Sequence, residues 1–216
     1  MNCLVTAGPT FEPLDDVRRL TNFSTGRLGT ELANHLTAAG HRVTLLIGES
    51  ATYSGARHAA TVRSFATTAD LHAQFQACSR RKVDSIFHAA AVSDFTFGKM
   101  FIRDAAGKLT PFAPTKKIST RGGSLLVELV PTEKILAALR GWFPAAKIFG
   151  WKYEADGRRT DAVRAATRQL AECATDFCVA NGPAYGAGFS LVSAHGKKHF
   201  STAAALFAAL EKQARA

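Results

Sequence analysis

The sequence has few cysteines and no long apolar run, and each of these features argues against certain classes of protein. No stretch reaches the roughly 20 apolar residues that a transmembrane helix needs, so we expect no contact with a membrane. The cysteines Cys3, Cys78, Cys173 and Cys178 form no CxxC pair and have no histidine at zinc-site spacing, which argues against structural zinc. Cys3 lies in an apolar run, so we interpret it as a buried free thiol.

The first residues lack the charged region, apolar core and cleavage site of a secretory signal peptide. This absence predicts a cytoplasmic protein. Acidic residues are scarce as well: 17 Asp and Glu face 27 Lys and Arg, which gives a net charge of +10 at pH 7. Such a surplus favours anionic partners. The basic residues are scattered and are not interleaved with aromatic residues, so we expect phosphorylated small molecules and no nucleic acid.

Short apolar runs alternate with segments of helical periodicity along most of the chain. Strand patterns occupy residues 2–7, 42–48, 61–66, 85–91, 147–150 and 177–180, and helical patterns separate them, among them one over residues 71–82. This alternation predicts one α/β domain over residues 1–216, with a Rossmann-like, doubly wound and mostly parallel sheet. Near the C-terminus, residues 188–194 and 197–201 flank a short turn and predict a hairpin, which a final helix follows.

Residues 95–123 interrupt the alternation. The segment is rich in glycine, proline and basic residues, and we interpret it as a long loop. Long loops inside compact domains are usually functional or disordered. This one leaves a strand end, and ligands of open parallel sheets bind beyond the carboxyl ends of the strands. We therefore predict a lid or a dimerisation arm.

The stretch TNFSTGRLG, residues 21–29, is the strongest candidate for a ligand site. It places hydroxyl groups, glycines and Arg27 directly before an amphipathic helix, where backbone N–H groups and the helix dipole favour an anion. We interpret it as a phosphate-binding turn. The alternative is an ordinary helix start, in which Ser24 or Thr25 is the N-cap and Gly26 relieves strain.

Two familiar nucleotide motifs are missing. The first strand-to-helix turn begins with Gly8-Pro9-Thr10 in place of GxGxxG, and the chain contains no Walker-type phosphate loop. No tyrosine precedes a lysine by four residues, the pair expected of a short-chain dehydrogenase. The hypothesis that the chain is an NAD(P)-binding oxidoreductase is therefore weakened, although it remains an alternative.

Several motifs, in order, resemble one family: AGPTFEPLDDVRRLTNFSTGRLG, HAAAVSDF, Lys117-Ile118, LVPTEKIL and FGWKYEAD. Over essentially its whole length the chain is similar to phosphopantothenoylcysteine synthetase, the phosphopantothenate–cysteine ligase of coenzyme A biosynthesis. The resemblance implies that a nucleoside triphosphate activates 4′-phosphopantothenate as an acyl-nucleotidylate, with release of pyrophosphate. The amine of L-cysteine then attacks the activated carbonyl. Bifunctional bacterial members carry a flavin-dependent decarboxylase ahead of this domain; the chain looks like a stand-alone form, for which no flavin is expected.

The resemblance also implies roles for individual residues. Asn22 would hold the acyl-nucleotidylate and Lys117 would contact the triphosphate, so these two are the expected catalytic residues. The alternatives are a local turn for Asn22 and a solvated surface position for Lys117. The substrate phosphate would be bound by Ser24, Thr25, Gly26 and Arg27. The implied nucleotide contacts are Gly8, Thr10, Ala90, Ala91, Asp94, Lys117, Glu133, Lys134, Ile135, Leu136, Trp151, Lys152 and Arg168.

The resemblance leaves two alternatives for the nucleotide. Bacterial members use CTP, and the bifunctional ones place lysines where this chain has Gln169 and Cys173. Lys152 and Arg168 instead resemble the arrangement of eukaryotic and stand-alone members, of which the human type uses ATP. We favour CTP over ATP and expect Mg²⁺ with either, without assigning its ligands. Because family members are dimers with a completing arm, we predict a homodimer formed through residues 95–123. A nucleotide-binding module without catalysis is a further alternative.

Overall fold

The computed structural model describes residues 1–113 and 117–216. The strands are β1 (Asn2–Ala7), β2 (Phe11–Pro13), β3 (Arg19–Thr21), β4 (Arg42–Gly48), β5 (Thr61–Phe65), β6 (Ser85–His88), β7 (Phe95–Arg103), β8 (Leu109–Phe112), β9 (Ser124–Pro131), β10 (Lys147–Tyr153), β11 (Phe177–Asn181), β12 (Phe189–Ser193) and β13 (Gly196–Phe200). The helices are α1 (Arg27–Ala38), α2 (Thr68–Ser79), α3 (Ile135–Trp142), α4 (Arg159–Cys173) and α5 (Ala203–Arg215).

Eight strands form the main sheet, in the order β13-β12-β11-β10-β6-β1-β4-β5. The strands from β11 to β5 pair in parallel, and β12 and β13 are antiparallel additions at one edge. The prediction of an α/β fold with a mostly parallel sheet and a C-terminal hairpin is confirmed. Because β1 and β6 lie side by side near the middle of this sheet, the segments that follow them meet at its carboxyl edge.

Helices cover both faces of the sheet. Alternate side chains of β1 point to opposite faces, as in any strand. Val5 packs in a buried cluster with residues of α1 and α5, among them Leu32 and Leu206. Leu4 packs on the other face, in a cluster that includes Leu71 of α2 and Leu139 of α3. Along the part of the chain that the structure describes, no helix combines the length and apolar character needed to cross a membrane.

Several predicted boundaries differ from those observed, among them the end of β10, which reaches Tyr153 where the pattern ended at residue 150. Helix α2 begins three residues before the predicted 71–82 segment, because Thr67 caps it by accepting a hydrogen bond from the backbone N–H of Asp70 at 3.1 Å. Strand β6 ends at His88, three residues before the predicted end. Residues 89–91 leave the ladder and turn toward β1, where they help to build the site described below.

The interpretation of residues 95–123 as a loop is wrong. Strands β7, β8 and β9 form a three-stranded antiparallel sheet in the order β8-β7-β9, and β9 begins directly after the predicted segment. The glycines and prolines misled the interpretation because several lie at turns or edges; Gly107, with φ of 83°, lies in the turn between β7 and β8. Residues 114–116 of this segment lie outside the described residues.

Strands β2 and β3 pair in a small hairpin that the sequence patterns did not predict. Its base is held by Glu12, whose side-chain oxygens accept hydrogen bonds from the backbone N–H of Thr68 at 3.1 Å and the hydroxyl of Thr96 at 3.0 Å. Glu12 is buried, so this bonding satisfies a carboxylate that is shielded from water. The hairpin is thereby fixed to the first turn of α2 and to the start of β7.

Candidate active site

The turn after β1 and the loop after β6 are joined by backbone hydrogen bonds. The N–H of Ala91 donates to the carbonyl of Gly8 at 3.0 Å, and the N–H of Thr10 donates to the carbonyl of Ala91 at 3.1 Å. The N–H of Ala90 donates to the Thr6 hydroxyl at 3.0 Å. Four residues with implied nucleotide contacts, Gly8, Thr10, Ala90 and Ala91, therefore lie at one point of the carboxyl edge.

Asn22 is tied to the same point. Its side-chain Nδ2 donates to the carbonyl oxygens of Ala91 at 3.1 Å and Val92 at 3.3 Å. These two bonds use both amide hydrogen atoms and leave Oδ1 as the side-chain acceptor. A donor role for Asn22 toward an acyl oxygen therefore requires one of these bonds to be exchanged for the substrate.

The start of α1 is open to a ligand. Its N-cap is Gly26, which has a φ of 80°, and no side chain caps the helix. The ordinary start with Ser24 or Thr25 as N-cap is therefore wrong, although the Thr25 hydroxyl accepts a bond from the N–H of Arg27 at 3.3 Å. Glycine is required at position 26 because L-residues with side chains are strained at this φ. The uncapped backbone N–H groups of the first turn fit an anion.

A cavity of about 330 Å³ lies over this turn, and its wall includes all four residues implied for the substrate phosphate: Ser24, Thr25, Gly26 and Arg27. Arg27 lies at the rim, where its Nε pairs with Glu31 at 2.7 Å. The bond to Glu31 uses Nε, so the two terminal nitrogens of the Arg27 guanidinium take no part in it.

Sequence reasoning missed part of that wall. Ala89, Phe189 of β12 and Ala203 of α5 also line the cavity. Ala89 belongs to the HAAAVSDF motif, but neither Phe189 nor Ala203 belongs to a recognised motif. The antiparallel order of β11, β12 and β13 places Phe189 near the carboxyl edge, and only the folded topology shows this.

Lys117 is exposed and lies one residue before an anchored position. The N–H of Ile118 donates to Oδ2 of Asp15 at 3.0 Å, and Nη2 of Arg18 donates to the carbonyl of Ile118 at 3.0 Å. Asp15 and Arg18 belong to the tip of the β2–β3 hairpin, whose second strand leads directly to Asn22. Lys117 therefore adjoins the residue that is bound at the tip of this hairpin, and Asn22 follows the end of β3, at the base of the hairpin.

The LVPTEKIL motif contributes a second uncapped helix start. Asp94 is connected to it, because its carbonyl accepts the N–H of Thr132 at 3.0 Å. Lys134 is the N-cap of α3 and makes no side-chain capping bond, and its ammonium lies 3.6 Å from Glu172. The side chains of Ile135 and Leu136 are buried in the core, so only their backbone groups face a possible nucleotide.

Glu133 is exposed at this junction, and one of its carboxylate oxygens lies 3.3 Å from Nε2 of His72. Thr10, by contrast, is fully buried, and its hydroxyl accepts the N–H of Ser93 at 2.8 Å. The side chain of Thr10 therefore supports the loop after β6 from beneath.

The remaining implied nucleotide contacts lie on β10 and α4. Trp151 is half-buried against the core cluster that contains Val5 and Leu206, and within the described residues its indole nitrogen is buried without a hydrogen-bond partner. The ammonium of Lys152 pairs with Glu154 at 3.1 Å. Arg168 is exposed on α4, and it is the adjacent Gln169 whose Nε2 donates to the Trp151 carbonyl at 3.1 Å. The structure thus connects α4 to β10 through Gln169.

His88 and Cys3, which the sequence also offered as candidates, have structural roles. His88 is buried and its Nδ1 lies 2.9 Å from the Thr6 hydroxyl, and burial lowers its pKa to about 4, so it is neutral at pH 7. The prediction that it does not act as a base agrees with this geometry. Cys3 is a buried free thiol, as predicted. Within residues 1–113 and 117–216, no group of three or more His, Cys, Asp or Glu side chains is arranged to hold a metal ion.

Comparison with known proteins identifies the family. Residues 1–213 match the model of the DNA/pantothenate metabolism flavoprotein C-terminal domain. The coenzyme A biosynthesis bifunctional protein CoaBC of Thermococcus kodakarensis is 31% identical over 178 residues, which cover 82% of this chain and 40% of that protein. The chain thus spans about two fifths of the length of this relative.

Solved structures agree. The DNA/pantothenate metabolism flavoprotein of Streptococcus pneumoniae superposes with a TM-score of 0.84 at 25% identity, covering 100% of this chain and 98% of that one. A Cab2 variant in complex with phosphopantothenate-cysteine has the same fold, with a TM-score of 0.76 at 19% identity over 99% of this chain and 87% of that one. From the match over residues 1–213, the chain belongs to the family of the DNA/pantothenate metabolism flavoprotein C-terminal domain, the phosphopantothenoylcysteine synthetase domain.

Proposed function

We propose that this chain joins 4′-phosphopantothenate to L-cysteine through an acyl-nucleotidylate, as a phosphopantothenate–cysteine ligase. Its family membership over residues 1–213 carries the proposal. The Cab2 variant of the same fold, whose complex holds phosphopantothenate-cysteine, supports the choice of substrates. The site is consistent with both, because the uncapped start of α1 and the amide of Asn22 lie at the same carboxyl edge.

The substrate phosphate would bind at the start of α1. The hydroxyl groups of Ser24 and Thr25 and the backbone N–H groups after Gly26 supply neutral donors, and Arg27 supplies a positive charge. Glu31 fixes the Nε edge of the Arg27 guanidinium and leaves its other edge for the phosphate. The cavity over this turn then accommodates the part of the substrate nearest to the phosphate.

The nucleotide would lie across the loop after β6 and the start of α3. The uncapped backbone of α3 offers N–H groups to phosphate oxygens, and Lys117 and Lys134 offer positive charge. Trp151 presents an aromatic ring near the base, while Lys152 and Arg168 would contribute charge from β10 and α4. CTP is the proposed nucleotide, and ATP is the alternative that the assay below tests.

Mg²⁺ usually binds through one or two carboxylates together with substrate phosphates, and it offsets triphosphate charge. Asp94 and Glu133 fit that pattern, because both flank Thr132 at the predicted nucleotide site.

The reaction proceeds in two displacements. A carboxylate oxygen of 4′-phosphopantothenate attacks the α-phosphorus and expels pyrophosphate, and Lys117 stabilises the charge that develops on the leaving group. The cysteine amine next attacks the activated carbonyl and expels the nucleoside monophosphate. Asn22 donates to the acyl oxygen during this second step, after releasing one of its backbone carbonyls.

A homodimer is proposed as the working form. The small sheet β8-β7-β9 exposes large apolar side chains, Phe95 at 45%, Leu109 at 50% and Leu129 at 48% of their full area. Exposed apolar groups of this kind are typical of contact surfaces.

The enzyme is proposed to work in the cytoplasm. Its four free cysteines fit a reducing compartment.

Pyrophosphate release tests the function and the nucleotide together. The purified chain is mixed with 4′-phosphopantothenate, L-cysteine, Mg²⁺ and each of the four ribonucleoside triphosphates in turn. We expect release with CTP and formation of 4′-phosphopantothenoylcysteine. Release with ATP alone would correct the nucleotide. Nucleotide binding without release would favour the non-catalytic module, and oxidation of NAD(P)H would favour the oxidoreductase.

A further inference from the structure

The tip of the β2–β3 hairpin is built around one carboxylate. Oδ1 of Asp15 accepts the backbone N–H groups of Val17 at 2.9 Å and Arg18 at 2.8 Å. Oδ2 accepts Nε of Arg18 at 3.0 Å and Nη2 at 2.5 Å. The side chain of Asp15 is 0% exposed, although the turn that carries it lies at the surface. Four donors from its own turn thus hold this carboxylate in one orientation.

The same carboxylate reaches a segment about one hundred residues later. Oδ2 of Asp15 also accepts the N–H of Ile118 at 3.0 Å, and Nη2 of Arg18 donates to the carbonyl of Ile118 at 3.0 Å. Both polar backbone groups of Ile118 are therefore bound by the hairpin. Its side chain is buried as well, at 5% exposure, so this residue is held on both sides.

Anchoring Ile118 also fixes its neighbour. The amide between Lys117 and Ile118 is planar, so holding the N–H of Ile118 sets the direction of the Lys117 carbonyl and α-carbon. The flexible lysine side chain then starts from a defined point of the surface. Two features argue for more than a surface contact: the carboxylate is fully shielded, and the Arg18 guanidinium holds its pKa well below the usual range, so it stays charged at any working pH.

We propose that Asp15 is a positioning residue: through Ile118 it holds Lys117 of the same chain at a fixed place relative to the β2–β3 hairpin, whose second strand leads to Asn22. This rests on the proposed ligase function. The hairpin is the physical link, since its first side ends in the Asp15 turn and its second strand, β3, ends one residue before Asn22. A shift of about 1 Å at a positioned group can cost two orders of magnitude in rate.

Asp15→Asn is the test variant, because it keeps the shape and places an NH₂ group or a neutral oxygen where several donors converge. Asp16→Asn, at the exposed neighbour on the same turn, is the matched control. We expect Asp15→Asn to lower kcat for pyrophosphate release by about 10- to 100-fold, with the KM for 4′-phosphopantothenate within about twofold. Asp16→Asn should leave both values within about twofold of the wild type.

Amide hydrogen exchange at Ile118 supplies the readout that does not depend on activity. Exchange at Ile118 should be faster in Asp15→Asn, while exchange in β1 and β4 stays unchanged. A purely structural role would instead raise exchange throughout the fold or lower the unfolding midpoint while kcat is unchanged. If kcat or the exchange of Ile118 in Asp15→Asn equals that of Asp16→Asn, the positioning role is wrong. If the wild-type chain releases no pyrophosphate, the ligase function itself fails, and the role of Asp15 fails with it.

Discussion

The side-chain nitrogen of Asn22 lies 3.1 Å from the carbonyl oxygen of Ala91. This bond joins the segment that leads into α1 to the loop that follows β6, two segments separated by about 70 residues. Because Ala91 in turn binds the turn after β1, one asparagine joins the three segments that surround the proposed reacting carbonyl.

Asn22→Asp is expected to block the second half of the reaction. An aspartate cannot donate to the carbonyls of Ala91 and Val92 and places negative charge beside them, so the loop is repelled. Product formation should fall by at least about a hundredfold, as is typical when a transition-state donor is lost. Rapid-quench measurement of acyl-nucleotidylate and product with labelled nucleotide separates the two half-reactions.

Asn34→Asp is the control for this change. Asn34 also donates to a backbone carbonyl, that of Ala56 at 2.7 Å, but it lies on α1 away from the turn. It should lose about 1 kcal/mol of stability and keep its activity. Equal activity of Asn22→Asp and Asn34→Asp would remove Asn22 from the mechanism.

Lys117→Gln should abolish turnover while leaving the fold intact. The lysine is exposed, so its replacement costs little stability, whereas loss of its charge removes the cation proposed to stabilise the departing pyrophosphate. Steady-state pyrophosphate release measures the effect, and circular dichroism checks the fold. Lys108→Gln, in the turn between β7 and β8, controls for the loss of one positive charge. Near-normal turnover of Lys117→Gln would return this residue to a solvated surface role.

Gly29→Ala should destabilise the protein by about 1–3 kcal/mol. A β-carbon at position 29 would lie 2.7 Å from both the Ala7 β-carbon and the Thr6 carbonyl oxygen, so α1 would have to move away from β1. Gly141→Ala is the matched helical control, since nothing lies within 4 Å of its added carbon, and it should be neutral or stabilising by up to about 1 kcal/mol. Urea unfolding with unchanged m values measures both, and equal midpoints would contradict the close approach of α1 and β1.

His88 should make stability depend on pH between neutral and mildly acidic conditions. Burial lowers its pKa from the usual 6.5 to about 4, so below pH 6.5 the unfolded chain binds a proton that the folded chain does not. Stability is therefore complete above pH 6.5 and falls as the pH drops toward 4, by roughly 2 kcal/mol between pH 7 and pH 5. Urea unfolding at both pH values should show a smaller decrease for His88→Gln. An equal decrease in the variant would assign the pH dependence to other groups.

The sequence alone predicted an element correctly where one local pattern determines its secondary structure and its bounds. The apolar run of β4 had the bounds Arg42–Gly48 that the structure shows, because a fully buried parallel strand is continuous and ends at a glycine. The small sheet was missed because its strands are only half-buried, so glycine and proline dominated their pattern. Its existence depends on pairing between β7 and β9, which a local pattern does not contain.

In the candidate site, too, the sequence predicted features that lie within one motif and missed those that join distant residues. The TNFSTGRLG motif identified the cavity wall around Gly26, whereas Phe189 and the bonds of Asp15 to Ile118 depend on residues far apart in the chain. Trp151 illustrates an intermediate case: its position came from a motif, but the buried indole nitrogen without a partner among the described residues is visible only in the folded protein.

The carboxylate of Glu12 has a mechanical consequence. Because it binds Thr68 and Thr96 at once, the small sheet cannot tilt without pulling on the beginning of α2. A displacement of β7 would therefore reach the first turn of α2, and a reporter group on that turn would register it.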